Sequence, residues 1–138
     1  MKNNSLNSSR GCVYKLSVHI VFVTKYRRQV ITKEILEDLE KIFSRLCATR
    51  KCRLVSFNAE EDHCHLLVDM YPDVAPSRLV NTLKTVSSRL IRRDYKEHLE
   101  KFYYQKPVLW TVAYCVISTG GAPLEVIKKY IESQESPT

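Results

Sequence analysis

The sequence predicts an α+β fold, a ferredoxin-like (RRM-like) sandwich with a four-stranded antiparallel sheet and two helices on one face. Three observations predict it. Apolar residues alternate with period two over 13–24, and three further short segments, 52–59, 63–70 and 110–118, read as strands. They recur at helical spacing in two long segments between those strands. The order is strand, helix, strand, strand, helix, strand, after which a further helix closes the chain.

Residues 1–11 are rich in Asn and Ser with little to bury and read as a flexible N-terminal tail, so residues 12–138 are expected to form a single domain. The first strand spans 13–24, where Tyr14, Leu16, Val18, Ile20 and Phe22 point one way and Lys15, Ser17, His19, Val21 and Val23 the other. A basic cluster, Lys25, Tyr26, Arg27 and Arg28, follows it. Ile35, Leu36, Leu39, Ile42, Phe43, Leu46 and Cys47 then mark the first helix, which Thr32 is placed to cap.

Residues 52–59 and 63–70 read as a hairpin around the polar turn Glu60, Glu61, Asp62. Pro76 suits the first turn of a second helix, whose apolar stripe is Leu79, Val80, Leu83, Val86, Leu90 and Ile91. Residues 95–108 are aromatic and basic without a clean period. A fourth strand is expected over 110–118; Gly120 and Gly121 break it, and Pro123 opens a last helix to about Gln134. In this topology the strands beginning at Val13 and His63 are central, and the sheet face away from the helices is left for a ligand or partner.

Composition narrows the function. The 138 residues are 44% hydrophobic and 27% charged, a globular balance. Lys and Arg number 22 against 15 Asp and Glu, a net charge of +7 that favours a polyanionic partner such as nucleic acid. The five cysteines never stand as CxxC, which argues against a disulfide framework and a zinc knuckle. With no membrane-length apolar run and no signal-peptide segment, the expectation is a soluble cytoplasmic protein with no membrane partner.

His63 and His65 are two apart on a strand, so both imidazoles leave the same side of the sheet and form a natural half-site for a divalent metal. Cys64 between them must point to the core and is not a ligand. His19 falls on the same face from the neighbouring strand, as a supporting or DNA-contacting residue. Tyr130 and Gln134 are four apart and share one face of the last helix, beside the docking stripe Leu124, Ile127 and Ile131.

Taken together, Asp62-His63-Cys64-His65-Leu66-Leu67, Thr24-Lys25-Tyr26-Arg27-Arg28, the segment 110–114 and Lys129-Tyr130-Ile131-Glu132-Ser133-Gln134 resemble one known family. This is the single-tyrosine HUH transposases of the smallest bacterial insertion sequences. The resemblance covers 13–134 in order and spacing. It implies a transposase that cleaves and rejoins single-stranded DNA at insertion-sequence ends. Tyr130 would be the nucleophile of a covalent 5′-phosphotyrosine intermediate, and His63, His65 and Gln134 the ligands of one Mg²⁺ or Mn²⁺ per site, with no ATP required.

The resemblance further implies single-stranded DNA with hairpins as partner, and a homodimer in which the tyrosine helix serves its own or its partner's site. Cys64 departs from the family's usual bulkier aliphatic residue. His19, Lys25, Tyr26, Arg27, Arg28, Lys84, Arg89, Arg92 and Arg93 are the candidate DNA contacts. A non-catalytic ferredoxin-like nucleic-acid-binding module, or a domesticated single-strand nuclease of the same family, are the alternatives.

Overall fold

The computed structural model describes residues 6–9, 11–118 and 123–134. Its elements are β1 (Asn7–Ser9), β2 (Cys12–Tyr14), β3 (Ser17–Val23), α1 (Lys33–Thr49), β4 (Arg53–Ala59), β5 (His63–Asp69), α2 (Pro76–Asp94), α3 (Lys96–Tyr103), β6 (Cys115–Ser118) and α4 (Pro123–Ser133). The main sheet is antiparallel with strand order β4-β5-β3-β6, so β3 and β5 are central.

Alternation decides which way each central strand faces. Ile20 and Phe22 of β3 and Cys64, Leu66 and Val68 of β5 are buried in one core with Ile35, Leu39, Phe43, Leu79, Leu83 and Ile91 from α1 and α2. Each large apolar side chain so enclosed contributes roughly 1.5–3 kcal/mol. Thr32 caps α1 by accepting from the Ile35 amide at 3.2 Å, and Pro76 occupies the first turn of α2.

The other sheet face is partly covered by α4. Val21, Val23 and Ile127 are buried together there, with Tyr130, Ile131, Cys115 and Ile117 packed against them. The face expected to be open is therefore roofed on one side by the chain's own last helix.

Four local differences from the sequence expectation have physical causes. The long first strand is two strands, because Cys12–Tyr14 pairs back on Asn7–Ser9 in a separate ribbon. Part of the expected tail is thus ordered β structure, turned by Gly11 at φ 72, a conformation that costs glycine nothing. Residues 1–5 and Arg10 of that tail, like Gly120 and Gly121, lie outside the described residues.

The segment without a clean period contains α3, which buries only Leu99 and Tyr103, too few positions to display periodicity. The fourth strand is shorter than expected. Trp110 makes an isolated bridge to Thr24, and the carbonyls of Thr111 and Val112 accept from the Lys84 ammonium at 2.7 and 2.6 Å. Strand pairing resumes only at Cys115.

Candidate active site

The site begins with strand register. His65 pairs across the central strands with Val21, and His63 with Val23. Directly opposed residues on one face of an antiparallel pair have Cβ atoms about 4.5–5.5 Å apart. Val21 and Val23 are buried with Ile127 of α4 in the cluster against which Tyr130 packs. The helix is therefore anchored on the immediate cross-strand neighbours of both histidines.

Tyr130 carries an unusual hydroxyl. Its Oη is buried and has no hydrogen-bond partner among the described residues. Burial, with a smaller contribution from Cys115, pushes its phenol up to about 12 from the ordinary tyrosine value. A phenol so placed is a protonated, unpartnered group on the face that carries the histidines.

The imidazoles are already engaged. His63 Nδ1 lies 2.8 Å from Asp62 Oδ1, and His65 Nε2 lies 2.7 Å from His19 Nδ1. Burial, then the nearby positive charge of His19 and His63, lowers the pKa of His65; burial lowers that of His19. Both shifts favour the neutral imidazole, the form that ligates a metal.

Cys64 faces the opposite way, fully buried under the helices, and burial raises its thiol pKa. It takes no part in the face where the histidines sit, as alternation requires.

Gln134 reaches the end of α4, where its Nε2 donates to the Tyr130 carbonyl and the Ser133 hydroxyl, both at 3.3 Å. Among the described residues no three His, Cys, Asp or Glu side chains gather as a metal cluster. His63 and His65 share a sheet face through their register with Val23 and Val21, while the Gln134 side chain's hydrogen bonds go to its own helix end.

The basic candidates divide into groups. Lys25 and Arg28 lie over the Tyr26 ring, at 5.2 and 5.7 Å from its centroid. Arg27 pairs instead with Asp62, Nε to Oδ2 at 3.4 Å. Lys84 is half-buried, has a lowered pKa from that burial, and clamps the 111–112 carbonyls.

Arg89, Arg92 and Arg93 line a groove of about 700 Å³ with Lys96, Tyr104 and Lys106, though Arg93 also pairs with Asp94 at 2.8 Å. Sequence reasoning assigned no role to Asp62 or Cys115. An acidic residue directly before the histidine pair was the available signal for the first; the second needed the fold.

Comparison with known proteins supplies the family. The family described as "Transposase IS200 like" matches residues 12–134. The ISDra2 transposase TnpA of Deinococcus radiodurans is 32% identical over 129 residues, covering 94% of this chain and 91% of that one. The transposase for insertion sequence element IS200 of Salmonella typhimurium is 31% identical over 116 residues, covering 84% and 74%.

A crystal structure of a candidate transposase from Deinococcus radiodurans superposes with a TM-score of 0.86 at 30% identity, over 95% of this chain and 99% of that one. A tyrosine transposase bound to a REP hairpin shares the fold at a TM-score of 0.51 and 11% identity, over 91% and 68%. Among the described residues no helix is long and apolar enough to cross a membrane. With a match that runs from the second strand to the end of the last helix, the chain belongs to the family of IS200-like transposases, enzymes that cut and rejoin DNA.

Proposed function

We propose that this transposase cleaves and rejoins single-stranded DNA through a covalent bond to Tyr130, with one Mg²⁺ or Mn²⁺ held by His63, His65 and Gln134. One observation carries the reading: the Tyr130 hydroxyl, buried without a partner among the described residues, belongs to a side chain packed on the cluster that holds the cross-strand neighbours of the two histidines. A buried hydroxyl without a partner among the described residues is costly, which singles Tyr130 out as the group to test as nucleophile. We read the strand order as that of a ferredoxin-like sandwich whose last helix carries the nucleophile.

The chemistry balances without ATP. Tyr130 Oη attacks the phosphorus, the bond to the 3′-oxygen breaks, and the phenolic proton ends on the 3′-hydroxyl that leaves. The 5′ side remains as a phosphotyrosine, and a second 3′-hydroxyl reverses the step onto a new strand. The cation, when bound, supplies charge neutralisation at a non-bridging phosphate oxygen. The chain's own residues pack Tyr130 against the Val21, Val23 and Ile127 cluster, favour a neutral His65, and place Gln134 directly after the helix that bears the nucleophile.

A hairpin-bearing single strand is the proposed substrate, with Lys25, Tyr26, Arg28, Arg89, Arg92 and Arg93 as phosphate and base contacts. A homodimer belongs to the same proposal. The test is incubation with Mg²⁺ or Mn²⁺ and labelled strands that carry a hairpin, followed by denaturing electrophoresis. A covalent adduct that requires the metal and vanishes in Tyr130→Phe is expected. An adduct that survives in Tyr130→Phe, or forms equally well with EDTA, overturns the assignment.

A further inference from the structure

Asp62 ends the turn between β4 and β5 and stands directly before His63. Its carboxylate is bound at both oxygens: Oδ1 lies 2.8 Å from His63 Nδ1, and Oδ2 lies 3.4 Å from Arg27 Nε. A carboxylate oxygen accepts, so the imidazole it holds carries a proton on Nδ1, and in the ring's neutral form that is its one N–H. That leaves the lone pair on Nε2. The carboxylate does not choose this geometry freely, because its backbone is pinned: the Thr24 amide donates to the Asp62 carbonyl at 2.9 Å, and the Ile31 amide to the Glu61 carbonyl at 2.9 Å.

Arg27 reaches Asp62 from a strained turn. Tyr26 and Arg27 both adopt left-handed backbone, at φ 59 and φ 53, where side-chain-bearing residues are uncommon. The surroundings hold the strain in place. The Lys25 amide donates to the Leu109 carbonyl at 2.8 Å, the Tyr103 hydroxyl donates to the Lys25 carbonyl at 2.8 Å, and the Arg27 amide donates to the Thr24 carbonyl at 2.9 Å. Backbone strain that the fold over-determines marks a position where geometry is in use.

We propose that Asp62, itself held by Arg27, is a positioning residue that fixes His63 as its Nδ1–H tautomer and presents Nε2 to the cation. This rests on the reading of His63 as a ligand and adds to it the reason its ring is oriented. Histidine ligands backed by a carboxylate are a recurrent way to set tautomer and basicity. Arg27, counted from sequence among the DNA contacts, is thereby assigned to the metal centre.

The first measurement needs no metal. Long-range proton–nitrogen NMR of the intact protein, stripped of divalent ions and held at about pH 8.5, where an ordinary imidazole is neutral, reports the tautomer of each of the four histidines. The His63 signal is assigned by its loss in His63→Ala. The expected result is an Nδ1–H tautomer in the wild type that shifts toward Nε2–H in Asp62→Ala and is retained in Asp62→Asn, which keeps a carbonyl acceptor. A His63 that is Nε2–H in the wild type, or that is unchanged in Asp62→Ala, overturns the proposal.

Calorimetric Mn²⁺ binding without DNA is the second measurement. Asp62→Ala is expected to weaken binding by about 10–100-fold. Arg27→Ala should weaken it less, and the double variant no more than Asp62→Ala alone, since Arg27 acts through Asp62. Loss of Mn²⁺ affinity in His63→Ala with none in Asp62→Ala overturns this inference and leaves the metal reading standing. Unchanged affinity in His63→Ala overturns both.

Discussion

His19 and His65 meet across the two central strands, with Nδ1 of the first 2.7 Å from Nε2 of the second and ring centroids 4.9 Å apart. At that distance one nitrogen donates and the other accepts, which requires at least one neutral imidazole. Burial lowers both pKa values, and the charges of His19 and His63 lower that of His65 further.

The sign of the stability effect follows from those shifts. A folded state with depressed histidine pKa values binds fewer protons than the unfolded chain, so this contribution is fully present above about pH 6.5 and is lost as pH falls through the folded values. In protein kept free of divalent ions, the melting temperature should fall between about pH 7.5 and 5, and fall less in the His19→Gln/His65→Gln double variant. An equal fall in both proteins would count against the pair.

Tyr130 presents the opposite sign. Its phenol is raised to about 12, so its contribution to stability is present below the unfolded value of about 10 and is lost as pH rises from there through 12. The difference in phenolate absorbance between wild type and Tyr130→Phe should titrate near 12 in the metal-free protein. A midpoint near 10 would mean the hydroxyl is solvated.

The same hydroxyl sets activity against stability. Removing a buried group that has no partner among the described residues relieves a desolvation cost of about 1–3 kcal/mol. Tyr130→Phe should therefore melt no lower than the wild type while forming no adduct with DNA. A melting temperature several degrees lower would show that the hydroxyl has a partner in solution.

What the sequence made legible was whatever depends on period. The His63, Cys64, His65 alternation divides between the two sheet faces as a strand must, and of the stripe Leu124, Ile127 and Ile131 the last two dock the helix while Leu124, in its first turn, stays exposed. Features that depend on a particular side-chain destination were not legible. The positive φ at Tyr26 and Arg27 occurs without a glycine to announce it, so Arg27 reads as one more exposed cation until its partner Asp62 is seen. Lys84 likewise reads as a surface charge, yet its ammonium ends the sheet edge by drawing off two carbonyls. Spacing placed Gln134 on the face of Tyr130, but its amide nitrogen turns back on its own helix.

Cys64 offers a direct check on the sidedness of β5. It is fully buried with a raised thiol pKa, whereas Cys12 is exposed. Alkylation of the native protein followed by mass spectrometry should label Cys12 readily and Cys64 only after unfolding. Cys64→Val, a hydrophobic swap of similar volume, should cost less than about 1.5 kcal/mol. Cys64→Ser, which buries a hydroxyl, should cost about 1–3 kcal/mol. Rapid native labelling of Cys64 would place it on the histidine face and undo the register.

Trp110 ties the strand that leads into the histidine face to the helical core through one hydrogen bond. Its indole Nε1 donates to the Ser87 hydroxyl of α2 at 2.9 Å, both residues are buried, and its backbone bridges to Thr24. Thr24 in turn donates its amide to the Asp62 carbonyl beside the first histidine. Ser87→Ala strands the indole N–H in the core and should cost about 1–3 kcal/mol. Trp110→Phe removes donor and ring area together, so the double variant should be less than additive. Because the chain has a single tryptophan, its indole proton is one resolved NMR signal, which should move upfield in Ser87→Ala as the bond is lost. An unshifted signal with unchanged stability would show that α2 does not hold Trp110 and that Thr24 and Asp62 are positioned by the sheet alone.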